Sequence, residues 1–242
     1  MREDARKSKK SSGETGMNVQ NWLSLEGLGR HPALETLVSE HLSGEAIDAF
    51  LEGREFPLAE PGTLTFAWRG EADLLHLVRW IHAGVDRRPF ARLAGSDLWL
   101  LRLPVEDGGR FEYKLAIGRN GHEDLVVDPR NPQRAGDPFG ENSVARTLGY
   151  ERPEWSLPRG APAGRIDGME VASAAFGETR DVGVYLPAGY DPDRAYPLVV
   201  VHDGGDFVTF ADLPVVLDNL IDAGEIPGVI AALIQTRDRL GE

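Results

Sequence analysis

Two uninterrupted apolar runs, PLVVVHD (197–203) and GVIAALIQ (228–235), lie on either side of LPVVLDNLIDAG (213–224). This order constrains the fold more than any other feature of the 242-residue chain. The flanking runs lack polar alternation, as expected of parallel strands buried on both faces. The middle segment repeats its apolar residues at helical spacing until Gly224 stops it. Strand, helix, strand in this order is a βαβ crossover in a layered α/β sheet. Upstream, GMEVASAAF and TRDVGVYLPAGY read as an antiparallel pair that opens the same sheet.

The first apolar run ends in His202-Asp203-Gly204-Gly205, at the carboxyl end of a parallel strand, where open α/β sheets hold their ligands. The two glycines leave N–H donors unshielded, and such donors stabilise an anion formed during acyl transfer. His202 suits a general base oriented by Asp203 or Asp206. Equally, His202 and Asp203 suit a purely loop-shaping role, with Asp206 a surface or capping residue of the next helix.

From Thr63 to about Lys114 the pattern is that of β-strands: TLTFAWRG, LLHLVRWI, FARLAGSDLWLLRLPV and GRFEYKLAI. Turn signals at Arg69-Gly70, Gly84, Ala94-Gly95-Ser96-Asp97 and Asp107-Gly108-Gly109 separate them, and a small β-sandwich is expected. Alternation picks out Leu64, Phe66 and Trp68, then Leu98 and Leu100, then Phe111, Tyr113 and Leu115. The next segment, DLVVDPRNPQRAGDPFGENSV, is expected to wrap the sandwich as an ordered loop, because its prolines cannot donate to a ladder. Within 21–56, Leu34, Leu37, Val38 and Leu42, then Ile47, Phe50 and Leu51, fit two short helices. Pro153, Pro158 and Pro162, with Gly160 and Gly164, read as a linker. The expected division is a basic tail at 1–17, a helical segment at 18–60, the sandwich at 61–150, the linker at 151–164 and the α/β sheet at 165–242.

Composition narrows the function. A formal net charge of −13 argues against general nucleic-acid binding, which needs a surplus of Lys and Arg. Arg2, Arg6, Lys7, Lys9 and Lys10 read as a solvated tail. There is no apolar run of about 18 residues and no apolar stretch behind MREDARKSKKSSGETG, so neither a membrane span nor a leader is expected, and the location expected is cytoplasmic. Cysteine is absent, which removes disulfides and thiolate chemistry. The 6 histidines form no His-X-X-His or His-Glu-X-X-His pattern, and neither a metal centre nor a cofactor is expected.

Taken together, DVGVYLPAGYDPDRAYPLVVVHDGGDF and LDNLIDAGEIPGVIAALIQTRDR resemble the opening of the enterochelin (ferric enterobactin) esterase-like group, in the esterase D branch of α/β-hydrolases. FAWRG, FARLAGSDLWLLRLPVEDGGRFEYKLAI and DLVVDPRNPQRAGDPFGENSV resemble the immunoglobulin-like domain that precedes the hydrolase there. The resemblance covers roughly residues 63–242. It implies a multi-domain chain of all-β plus α/β class: an N-terminal immunoglobulin-like β-sandwich, then the N-terminal part of an α/β-hydrolase sheet. It also implies hydrolysis of carboxylic esters, such as ferric enterochelin-type siderophores, by a serine mechanism. In that scheme Gly205 supplies an oxyanion-hole amide, Gly204 permits close approach, and His202 and Asp203 shape the loop. Arg130 and Arg134 would meet an anionic ligand.

The chain departs from the family at the nucleophile, since Gly-X-Ser-X-Gly occurs nowhere in it, and Ser96 in LAGSDLW reads as a hairpin-turn residue. Truncation before the nucleophile elbow is therefore expected, with no nucleophile, acid or base in the chain and no activity of the chain alone. An end there would leave the strand near Val229 to Ile234 as an unpaired apolar edge and a site of self-association. The expected partner is a small-molecule ester, with neither nucleic acid nor membrane. A competing reading is a non-catalytic carbohydrate-binding or partner-binding module built on Trp68, Trp80 and Trp99. Two exposed, coplanar aromatics would mark such a module, whereas buried ones would mark a core.

Overall fold

The computed structural model describes residues 22–23, 43–81 and 84–237. In chain order its elements begin with β1 (Trp22–Leu23), α1 (Gly44–Leu51), β2 (Leu58–Glu60), β3 (Thr63–Arg69), β4 (Leu74–Ile81) and β5 (Gly84–Pro89). There follow β6 (Ala91–Leu93), β7 (Leu98–Pro104), β8 (Arg110–Arg119), β9 (His122–Val126), β10 (Arg134–Asp137) and β11 (Gly140–Arg146). After a 3₁₀ turn at Glu154–Ser156 come β12 (Arg165–Ser173), β13 (Glu178–Leu186), β14 (Leu198–His202), α2 (Gly204–Ala211), α3 (Leu213–Asp222) and β15 (Ile230–Ile234).

The strands form three sheets. The first has the order β1-β6-β7-β3-β2, the second β10-β11-β8-β4-β5 with β9 on β8, and the third β12-β13-β15-β14. The first two share one core, in which Leu64, Phe66 and Trp68 of β3 and Trp99 and Leu103 of β7 meet Leu75 and Leu77 of β4 and Tyr113, Leu115 and Ile117 of β8. Leu98 and Leu100 face the other way. With Ala67 and Leu93 they lie under α1, which buries Ile47, Phe50 and Leu51 on them at helical spacing. Ser43 starts this helix by accepting the Ala46 N–H at 3.1 Å on its side-chain oxygen. The other helix expected within 21–56 lies outside the described residues.

The segment expected to be an ordered loop is instead largely sheet: β9 pairs with β8, and β10 and β11 form a hairpin that extends the second sheet. Its prolines do not obstruct this, because Pro129 and Pro132 lie between β9 and β10 and Pro138 lies in the hairpin turn, all outside the ladders. A buried polar cluster holds the connection. The Tyr113 hydroxyl donates to Asp128 Oδ2 at 2.7 Å, Asn131 Nδ2 donates to the Tyr113 oxygen at 3.1 Å, and the Asp128 N–H donates to Ser143 Oγ at 2.8 Å. Burial raises the pKa of the Asp128 carboxyl, opposed by the bonds from Tyr113 and the Arg130 N–H. Burial and the neighbouring Asp128 also raise that of the Tyr113 hydroxyl.

In the third sheet β12 and β13 are antiparallel, as expected, and β14 and β15 are parallel, joined through α2 and α3. The position of β15 differs from expectation. It is not an unpaired edge: β13 pairs with it antiparallel on one side and β14 parallel on the other, so self-association through Val229–Ile234 has no free ladder to use. The crossover steps back and inserts β15 between β13 and β14, which makes β14 the edge among the described residues. The expectation of burial on both faces fails there too, since Leu198, Val199 and Val200 of β14 are exposed. The proline-rich stretch before β12 is strapped to α3, where Asn219 Nδ2 donates to the Trp155 and Leu157 carbonyls at 2.9 and 2.7 Å. Nearby, the Gly164 N–H and the Tyr185 hydroxyl both donate to Asp218 Oδ1, at 2.8 and 2.6 Å.

Candidate active site

The loop after β14 is a tight turn built on two residue types. Asp203 adopts φ 55°, the left-handed region in which Asp is among the better-tolerated side chains, and turns the chain directly into α2. Gly204 is buried against β15, and a Cβ there would stand 2.5 Å from Leu233 Cα. That clash is with backbone, so only glycine lets the turn lie flat on β15. The Asp206 and Phe207 N–H groups donate to the Asp203 carbonyl at 2.9 and 3.1 Å. The Gly205 N–H points away from the helix and donates to Gln235 Oε1 at 2.9 Å. Gln235 Nε2 reaches Asp206 Oδ2 at 3.4 Å.

Sequence reasoning passed over Gln235. Its signal was slight: it is the first polar residue after the apolar run of β15, at the same carboxyl edge as His202, which pairs with Ile234. Its carboxamide oxygen marks the spot to which the Gly205 amide points, so this turn presents one directed N–H donor at a helix start, a place that favours negative charge. Asp203 shapes the turn through its main chain. The His202 ring is exposed and hydrogen-bonds no group among the described residues.

The β10–β11 hairpin approaches this turn from the second sheet. β10 packs on α2, where a Cβ at Gly136 would stand 3.2 Å from the Phe210 ring. Arg134 opens β10, and its guanidinium donates to the carbonyls of Asp128 (3.1 Å), Gln133 (3.1 Å) and Asn131. Arg130 is half-buried, and its carbonyl accepts the Phe56 N–H at 3.2 Å. Trp68 and Trp99 are buried at 6% and 7% exposure, whereas Trp80 is 53% exposed. Among the described residues no group of three His, Asp or Glu side chains is placed to hold a metal ion, and no helix is long and apolar enough to cross a membrane.

Residues 173–240 match the esterase family profile, a stretch that spans β13, β14, the glycine turn, both following helices and β15. No curated protein matches the sequence. Among solved structures, the chain is similar to the enterobactin esterase of Shigella flexneri crystallised in the presence of enterobactin, at 18% identity and a TM-score of 0.57, over 80% of this chain and 58% of that one. It is also similar to the ferric enterobactin esterase of Salmonella typhimurium, at 20% identity and a TM-score of 0.55, over 74% and 54% of the two chains. The 242 residues thus span little more than half the length of the solved structures they match. The glycine turn lies within the stretch that matches the esterase family profile, and the chain has a β-rich fold like that of the corresponding part of the enterobactin esterases.

Proposed function

We propose that this chain belongs to a hydrolase of carboxylic esters that works through a serine acyl-enzyme. In this reading the sheet β12-β13-β15-β14 with α2 and α3 opens an α/β-hydrolase domain, and the two preceding sheets form an immunoglobulin-like sandwich beside it. The observation that carries the reading is the Gly204-Gly205 turn, wedged on Leu233 at the carboxyl end of a parallel strand within the esterase-family segment. Gly205 N–H is the oxyanion donor, and Gln235 Oε1 holds the acceptor position until a substrate oxygen takes it. One such donor is worth about 10² to 10³ in rate, realised only with a nucleophile. Because the 242 residues contain no Gly-X-Ser-X-Gly, they carry the oxyanion loop and not the triad. Likeness to enterobactin esterases supports a ferric catecholate ester as substrate. The Arg134 guanidinium donates to three carbonyls, so of the two arginines Arg130 is the one assigned to an anionic substrate in this reading.

Two measurements test this function: sequencing the transcript past codon 242, and assaying the purified 242-residue chain with ferric enterobactin. The expected result is an open frame that reaches Gly-X-Ser-X-Gly with later Asp and His, and no turnover by these residues alone. A stop directly after Glu242 together with no turnover overturns the reading. Saturable hydrolysis by the 242-residue chain that survives Gly205→Pro also overturns it.

A further inference from the structure

The second sheet has a further cleft, lined in part by the β10–β11 hairpin. On β4, Leu75 and Leu77 point into the shared core, so Trp80 projects from the opposite face; on β8, Tyr113 and Leu115 point inward, and Glu112 and Lys114 project with Trp80. Together with Asp137, Asn142 and the tip of the β10–β11 hairpin, these residues line a cleft of about 770 Å³. That volume falls within the range of small-molecule sites, about 300–1,000 Å³.

Two aromatic side chains of the lining are exposed. Trp80 is 53% exposed and Phe139, at the hairpin tip, is 77% exposed. Asn142, also of the lining, is buried, with Nδ2 donating to Asp137 Oδ2 at 2.8 Å and to Glu112 Oε2 at 3.1 Å. Arg110 Nη2 donates to Glu112 Oε1 at 2.9 Å. Arg79, Arg110 and Lys114 line the cleft with Glu112 and Asp137; Arg79 is ion-paired to Asp86, which also takes Arg88, and Arg110 to Glu112.

Two of the three lining cations are already ion-paired, which leaves the cleft without a cluster of unpaired positive charge of the kind a ferric catecholate would need. Exposed aromatic rings beside groups that both donate and accept hydrogen bonds suit a molecule with apolar faces and hydroxyl edges. We propose that the cleft binds a neutral saccharide, with one ring stacked on Trp80, Phe139 covering it, and hydroxyls bonded to Asp137, Glu112 and Lys114. The site has a single tryptophan platform, because Trp68 and Trp99 belong to the core. It stands independently of the ester-hydrolysis reading.

The test titrates maltopentaose, cellopentaose, xylopentaose and chitopentaose into the full chain, followed by calorimetry and by the indole N–H resonances. At least one sugar is expected to bind saturably and to shift the Trp80 signal. Trp80→Ala should weaken binding roughly tenfold, Lys114→Ala less so, and Trp155→Phe not at all. The proposal is overturned if none of the four binds at millimolar concentration, if Trp80→Ala binds as tightly as the unaltered chain, or if 2,3-dihydroxybenzoate rather than a sugar shifts the Trp80 signal. Should Trp80→Ala fail to fold, the Trp80 resonance of the unaltered chain decides alone.

Discussion

Gly204 and Gly205 are neighbours with different tolerances. A Cβ at Gly204 meets backbone at 2.5 Å, whereas one at Gly205 meets the end of the Gln235 side chain at 2.8 Å, which can rotate away. Gly204→Ala is therefore expected to cost about 2–3 kcal/mol and Gly205→Ala about 1 kcal/mol, the latter through loss of the Gln235 bond. Urea midpoints check this, and equal losses would contradict the wedged turn. His76 gives a pH dependence. Burial, then the Arg87 charge, lowers its pKa below the ordinary value, and its Nδ1 is buried without a hydrogen-bond partner. The unfolded chain then binds the proton more readily than the folded one, so the stability that His76 lends is fully present above about pH 6.5 and is lost as pH falls below that value through its lowered folded pKa. Thermal melts from pH 8 to 5 should show the decline, and His76→Gln should flatten it.

At the scale of elements, α1 illustrates a sequence signal that matched the structure. Ile47, Phe50 and Leu51 recur at helical spacing behind a Ser cap and bury together on the first sheet. Ile47→Ala is expected to cost about 2–4 kcal/mol and Ser43→Ala about 1 kcal/mol, both readable by chemical denaturation. The β10–β11 hairpin illustrates the reverse. Its strands are short, and three prolines in the region suggested a loop, yet each proline falls outside a ladder. What secures the segment is the buried Tyr113–Asp128–Asn131 cluster, made by residues far apart in local pattern. Asn131→Ala should remove the bonds to the Tyr113 oxygen and the Val144 carbonyl, with a loss of about 2 kcal/mol.

At the scale of the molecule, the hairpin of the second sheet touches the helix that follows the glycine turn, through Gly136 and Phe210. Gly136→Val should displace Phe210 and lower amide-exchange protection in 204–211 while β3, β4, β7 and β8 keep theirs. Unchanged protection in α2 would mean that the contact transmits nothing. Local residue order by itself determined the strands of the stretch from Thr63 to about Lys114 and of the third sheet, the crossover, the glycine turn and the helix under the first sheet, because periodicity and turn chemistry are properties of neighbouring residues. Tertiary structure alone decided the rest. Nothing local reveals that β15 inserts between β13 and β14, that Trp80 is exposed while Trp68 and Trp99 are buried, or that Gln235 faces Gly205 across 30 residues. Each of these depends on which side of a strand its neighbour joins, a choice made by packing between segments distant in the chain.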